Sequence, residues 1–155
     1  VCNAPCCSPF HRHFLWHVER ELDLERMRRA ASLLIGKHDF TSFAAASGRP
    51  PQSSVKTLWD LRVEYDAPFL FFSVLGDSFL YKMVRSLVGY LVLAPGRDPN
   101  WDPAEVKDLL AKPVRTVRVE TAPPQGLFLA KVFFSEAEAQ SYTPRFPPFD
   151  CRFSP

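Results

Sequence analysis

Arg85 stands in a run, GDSFLYKMVRSLVG from Gly76 to Gly89, whose residues around the arginine are nearly all apolar. A guanidinium there has two options. It can snorkel its head to water from the edge of an apolar stripe, or it can sit half-buried, holding a carboxylate ionised or receiving a phosphate. Gly89, one turn on, suits the second, because a missing side chain leaves room for a partner backbone or a ligand. No acidic residue close in sequence is positioned to neutralise the cation. A second run, GKHDFTSF, sets His38 and Asp39 beside Phe40 and Phe43. That polar pair either caps the turn, with the phenyl rings as anchors, or stands at a cleft mouth where two rings hold an extruded base. A third run, TAPPQGLFL from Thr121 to Leu129, reads as a turn entering a strand. Pro123 and Pro124 stiffen the approach and Gly126 admits an unusual backbone angle. Leu127 and Leu129 are then either core or an apolar wall for a planar ligand.

The elements that must position these runs follow from periodicity. Residues 1–8 read as irregular and poorly ordered, and HFLWHV (His13 to Val18) as a short strand. Asp23 offers an N-cap to a helix over 24–35, with Leu24, Met27, Ala31 and Leu34 at helical spacing and Gly36 as the stop. HDFTSF should be a compact turn, followed by a flexible SGRPPQSS loop. Lys56 to Tyr65 alternates, placing Trp59, Leu61, Val63 and Tyr65 on one face and Asp60, Arg62 and Glu64 on the other. Phe69 to Leu75 is continuously apolar and reads as a hairpin partner buried on both faces. Phe79 to Leu93 predicts a core-packed helix. Asp102, followed by Pro103, caps a third helix. Phe128 to Phe134 predicts a last strand, and the proline-rich stretch after Glu136 a loose tail. The expected fold class is α+β: an antiparallel sheet with helices packed on one face. The domain limits are 1–8 irregular, 9–135 folded and 136–155 tail.

At 155 residues, 46% apolar and 14% aromatic, the chain can bury a core and is not globally disordered. A net charge of +2 permits nucleic-acid binding without announcing it. Cys2, Cys6, Cys7 and Cys151 lie outside the periodic segments, which points to free thiols in a reducing, intracellular compartment. Nothing in the opening residues resembles a secretory or transit signal, and mitochondrion, nucleus and cytoplasm stay undistinguished. The Cys2, Cys6, Cys7, His11, His13, His17 cluster fits no common zinc spacing, so no metal site is assigned. The most hydrophobic helix is interrupted by Lys82 and Arg85, which argues against a membrane span. Phosphate-binding loops, dinucleotide fingerprints, GxSxG and HExxH are absent.

In order and spacing, LDLERMRRAASLLIGKHDFTSF, FLYKMVRSLVG and APPQGLFLAKVFF resemble the C-terminal half of the TruA-type tRNA pseudouridine synthases. Within these, the eukaryotic pseudouridylate synthase-like branch is the most similar. The resemblance covers about Ser8 to Phe134. It implies a pseudouridine synthase-like fold, C-terminal half only, that isomerises uridine to pseudouridine in tRNA without metal or organic cofactor. In that family an Asp acts on the nucleoside, the N-glycosidic bond breaks, the uracil turns over and C5 rejoins the ribose. Arg85 matches the arginine that pairs with that Asp, and such a pairing keeps the nucleophile charged. Leu129 matches the apolar residue beside the base, and His38, Asp39, Phe40 and Phe43 match the segment at the cleft between halves. RNA is the implied partner, with a homodimer allowed and no membrane. One departure is large. The family's Asp sits in an Arg-Thr-Asp-x-Gly-Val-His-Ala stretch, and no Asp here has that neighbourhood; the family's upstream active-site tyrosine is absent as well. The chain alone is therefore expected to be inactive, and the VCNAPCC opening reads as a truncation or mis-spliced junction. The competing expectations are a non-catalytic RNA-binding or dimerisation module, and a small domain in which the three runs are only packing.

Overall fold

In the computed structural model, residues 1–144 other than 47, 49–51 and 113 are described. Asp23 opens α1 (Leu24–Leu34) by accepting a hydrogen bond from the Arg26 N–H at 2.9 Å. Met27, Ala30, Ala31 and Leu34 recur at helical spacing and are buried together. Gly36 follows at φ +117°, a conformation open to a residue without Cβ. The chain then turns straight into β1 (Gly36–Asp39). The compact turn expected over HDFTSF is thus partly a strand. His38 and Asp39 pair with Lys56 and Val55 of β2 (Val55–Asp66), and the turn itself is the 3-10 segment Thr41–Phe43. The expected loop at 47–54 lies partly outside the described residues.

β2 and β3 (Phe69–Gly76) pair antiparallel, and the sheet order is β1-β2-β3. A bulge between Leu58 and Asp60 breaks the alternation expected of β2. Leu58, Leu61 and Val63 face the core, whereas Trp59 is only half-buried and Tyr65 is exposed. β3 was expected to be buried on both faces and buries only Leu70 completely. The reason is that the core lies on one side of the sheet. Leu58, Leu61 and Val63 join residues of α1, α2 (Met83–Leu93) and α3 (Ala104–Ala111) in one apolar cluster. The α+β class therefore holds at a coarse level, with α1, α2 and α3 contributing to the core on one side of the sheet.

α2 starts later than its apolar run suggests. Lys82, at φ +59°, precedes the first helical residue, with Leu80 already buried ahead of it. At α3, Asp102 accepts from the Ala104 N–H at 2.7 Å, as the Asp-Pro pair predicts. Three expectations fail. The strand expected over Phe128–Phe134 is absent: these residues lie in no sheet among the described residues, with Leu129 83% and Phe134 96% exposed. The loose tail starts instead as α4 (Glu136–Ser141), whose cap Ser135 accepts from the Glu138 N–H at 3.2 Å. His13–Val18 is turn, with only His17 in an isolated bridge.

Residues 1–8, expected to be poorly ordered, are docked at their start. Cys2 bridges both His17 and Phe69, and the Val1 amine donates to the Leu70 carbonyl at 2.8 Å. Burial, helped by a hydrogen bond with Cys7, pushes the Cys2 thiol up to about 11, so it stays protonated and unreactive near neutrality. No helix among the described residues is long and apolar enough to cross a membrane.

Candidate active site

The site is built on the first two turns of α2. A Cβ on Gly89 would stand 2.2 Å from the Glu120 carbonyl oxygen and 2.9 Å from the Ala122 nitrogen. Of the two uses the sequence allows for that room, the structure shows the backbone one: residues 120–122 lie directly across the helix. At this range Arg85 and Ala122 bond to each other twice. The Ala122 N–H donates to the Arg85 carbonyl at 3.0 Å, and Arg85 Nε donates to the Ala122 carbonyl at 2.7 Å. Arg85 is half-buried as a residue, and its guanidinium is tied to the protein at Nε. Its Nη1 and Nη2 have no hydrogen bond to the described residues, and no described carboxylate lies within ion-pair distance.

Several of the acids are paired with other cations. Asp98 and Glu105 clamp Arg118 at 2.8 and 2.9 Å, Asp23 holds Arg26, and Glu25 holds Arg28. On the outer sheet face Asp60 approaches Arg62 Nε at 2.6 Å, an ion contact whose angle leaves Asp60 Oδ2 without a hydrogen bond. Among the described residues no group of three His, Cys, Asp or Glu could hold a metal ion.

Arg115 ties the three runs together, and sequence reading passed over it. Its Nη1 donates to the Ala44 carbonyl at 3.1 Å and to Ser86 Oγ at 3.2 Å, and its Nη2 donates to Thr121 Oγ1 at 2.8 Å. The Ser86 and Thr121 hydroxyls are themselves 3.1 Å apart. The residue just after the first run, the second run and the start of the third thus converge on one corner. An arginine in the aperiodic stretch after α3 reads as solvated, and only its place just ahead of the third run could have flagged it.

The other expected site residues divide. Phe40 and Phe43 are fully buried, with the Phe43 ring edge-on to Tyr90 at 5.7 Å, so they anchor the turn and offer no surface to a base. Leu129, at 83% exposure, has too little neighbouring surface to wall a pocket here. His38 Nε2 lies 3.1 Å from the Ile35 carbonyl. Asp39 takes the capping role: its Oδ1 accepts from the Thr41 hydroxyl at 2.6 Å and the Thr41 N–H at 2.9 Å. The Thr41 hydroxyl, then the Thr41 N–H and Ser54, hold the Asp39 carboxyl below its usual range against the opposing effect of burial. A lowered folded pKa adds stability above the unfolded value, near 3.9, and that increment disappears as pH falls through the folded value. Asp39→Asn should therefore lower the urea midpoint by more at about pH 6 than at about pH 3. Equal differences at both pH values would refute the assignment.

The α+β fold thus fixes the Arg85 guanidinium at one nitrogen, with no ion pair among the described residues. A family model described as tRNA pseudouridine synthase matches residues 30–135, and the chain belongs to that family. It is 40% identical over 134 residues to tRNA pseudouridine synthase A of Thermoanaerobacter sp. (strain X514), covering 86% of this chain and 54% of that protein. It is 37% identical over 131 residues to tRNA pseudouridine synthase A of Methylacidiphilum infernorum (isolate V4), covering 84% and 50%. Against the Thermosipho africanus (strain TCF52B) protein of the same name the identity is 39% over 127 residues, covering 81% and 50%. The chain thus spans about half the length of these curated relatives.

Proposed function

We propose that this chain is the C-terminal, arginine-bearing half of a TruA-type tRNA pseudouridine synthase, which isomerises uridine to pseudouridine in tRNA. The observation that carries the reading is Arg85: half-buried, aimed by Ala122, with two guanidinium nitrogens that no acid among the described residues receives. A carboxylate arriving from the other half of the enzyme would meet a cation that keeps it ionised and oriented for attack on the nucleoside. His38 and Asp39 would then edge the cleft between the halves, and Leu129 would gain its base-facing role once the other half covers the 127–134 stretch. Assignment to the eukaryotic branch rests on the motif resemblance alone, and an intracellular setting on the free Cys2, Cys6 and Cys7.

The test joins this chain to the N-terminal half of the Thermoanaerobacter relative and supplies tRNA tritiated at uridine C5. When C5 takes over the bond to ribose its hydrogen is lost to water, so the chimera should release tritium. The chain alone should release none. Release by the chain alone would show that an acid for the reaction already lies within it. A folded chimera that binds tRNA and releases nothing would favour the non-catalytic module, recognised by salt-sensitive binding without product.

A further inference from the structure

We propose that Arg115 is a positioning residue for Arg85, setting the direction in which the unpartnered guanidinium nitrogens point. The inference rests on the pseudouridine synthase reading above. Arg85 meets the segment 120–122 through two neighbouring rungs. One is the paired hydrogen bonds between Arg85 and Ala122, and the other is the hydroxyl contact between Ser86 and Thr121. Only the first rung touches the guanidinium, so its aim depends on where Ala122 is held. Arg115 holds the second rung from both sides, one nitrogen on Ser86 Oγ and the other on Thr121 Oγ1.

The same Nη1 reaches the Ala44 carbonyl just past the buried Thr41–Phe43 turn, which is itself fixed by Phe43 against Tyr90 of α2. The clamp is therefore referenced to the core and not only to the loop it belongs to. Ser86 is fully buried, so its hydroxyl has no solvent alternative. All the acceptors are neutral oxygens, and no described carboxylate pairs with Arg115. A planar guanidinium can address acceptors on three segments at once. A lysine, a point charge on a flexible stem, cannot keep that geometry. Since both of its terminal nitrogens are engaged, Arg115 acts through the protein and leaves Arg85 to meet the incoming acid.

The experiment uses the chimeric synthase and single-turnover rates over a range of pH, with tRNA affinity measured alongside. Arg115→Ala should slow turnover by about 100-fold, the scale of a misplacement near 1 Å, while the Kd for tRNA changes by less than about threefold. The acid limb of the rate profile should also move to higher pH. A cation no longer held against the carboxylate lets the carboxyl pKa rise toward its ordinary value. Added guanidinium ion should restore part of the rate, whereas Arg115→Lys should restore little. An unshifted acid limb, or a rate loss that follows tRNA affinity, would overturn the proposal. Should Arg115→Ala fail to fold, Thr121→Val removes one acceptor and leaves the cation; it should give a smaller loss with the same limb shift, and parental behaviour would count against the clamp. Arg85→Ala separates this proposal from the one beneath it. If Arg85→Ala is inactive and Arg115→Ala is normal, the positioning role alone is wrong. If Arg85→Ala is fully active, the proposed function fails first.

Discussion

Arg85→Ala in the completed synthase should lower pseudouridine formation at saturating tRNA by about 1,000-fold, with the fold intact and tRNA still bound. Under the proposed function the size follows from losing a fixed charge that would face the reacting carboxylate, since removing even a single neutral donor from such a site costs about 100- to 1,000-fold. The fold should survive because the Ala122 N–H to Arg85 carbonyl bond is backbone only and does not need the side chain. Arg85→Lys should recover little. The native group spends Nε on Ala122 while presenting two further nitrogens, and an ammonium cannot serve both directions. Single-turnover tritium release measures the effect, and parental turnover by the alanine variant would remove Arg85 from the chemistry.

Gly89→Ala provides a test whose sign is decisive. In an exposed helix the exchange of glycine for alanine stabilises by about 1 kcal/mol. At Gly89 the new methyl would stand 2.2 Å from the Glu120 carbonyl oxygen, a backbone atom that no rotamer change can move aside. Residues 120–122 would have to lift from α2, which parts Arg85 from Ala122 and Ser86 from Thr121. Overpacking of this kind costs about 1–3 kcal/mol, and the clash with backbone puts Gly89 at the upper end, so the balance is a net loss of up to about 2 kcal/mol in urea unfolding. Gly48 is the control, since no described residue lies within 4 Å of its would-be Cβ. Stabilisation by Gly89→Ala would mean that the segment does not cross the helix there.

What could be read from the sequence was whatever short-range periodicity and capping determine. α1 with its Asp23 cap, the β2–β3 hairpin and the Asp102 cap are features of neighbouring residues, and the structure has them. The Ser135–Glu138 cap of α4 was equally legible as an S-x-x-E pattern, and the surrounding prolines obscured it. The bulge at Trp59 was not legible, because a period of two gives no warning of where it slips. Nor was the fate of Phe128–Phe134, since a strand requires a partner and its own pattern cannot supply one. The same distinction runs through the site. Arg85 announced itself as a cation among apolar residues, whereas Arg115 gains its meaning only from contacts with residues as far off as Ala44.

One consequence of the exposed 128–134 stretch concerns how the polypeptide behaves in a tube. Leu129, Val132 and Phe134 present more than half of their surface to water, and the run lies in no sheet among the described residues. Apolar surface of this kind can be covered by a second copy, so self-association would grow with protein concentration before any heating. Dilution and an added solubilising partner, more than added salt, would then decide whether clear solutions or turbid ones reach the spectrometer.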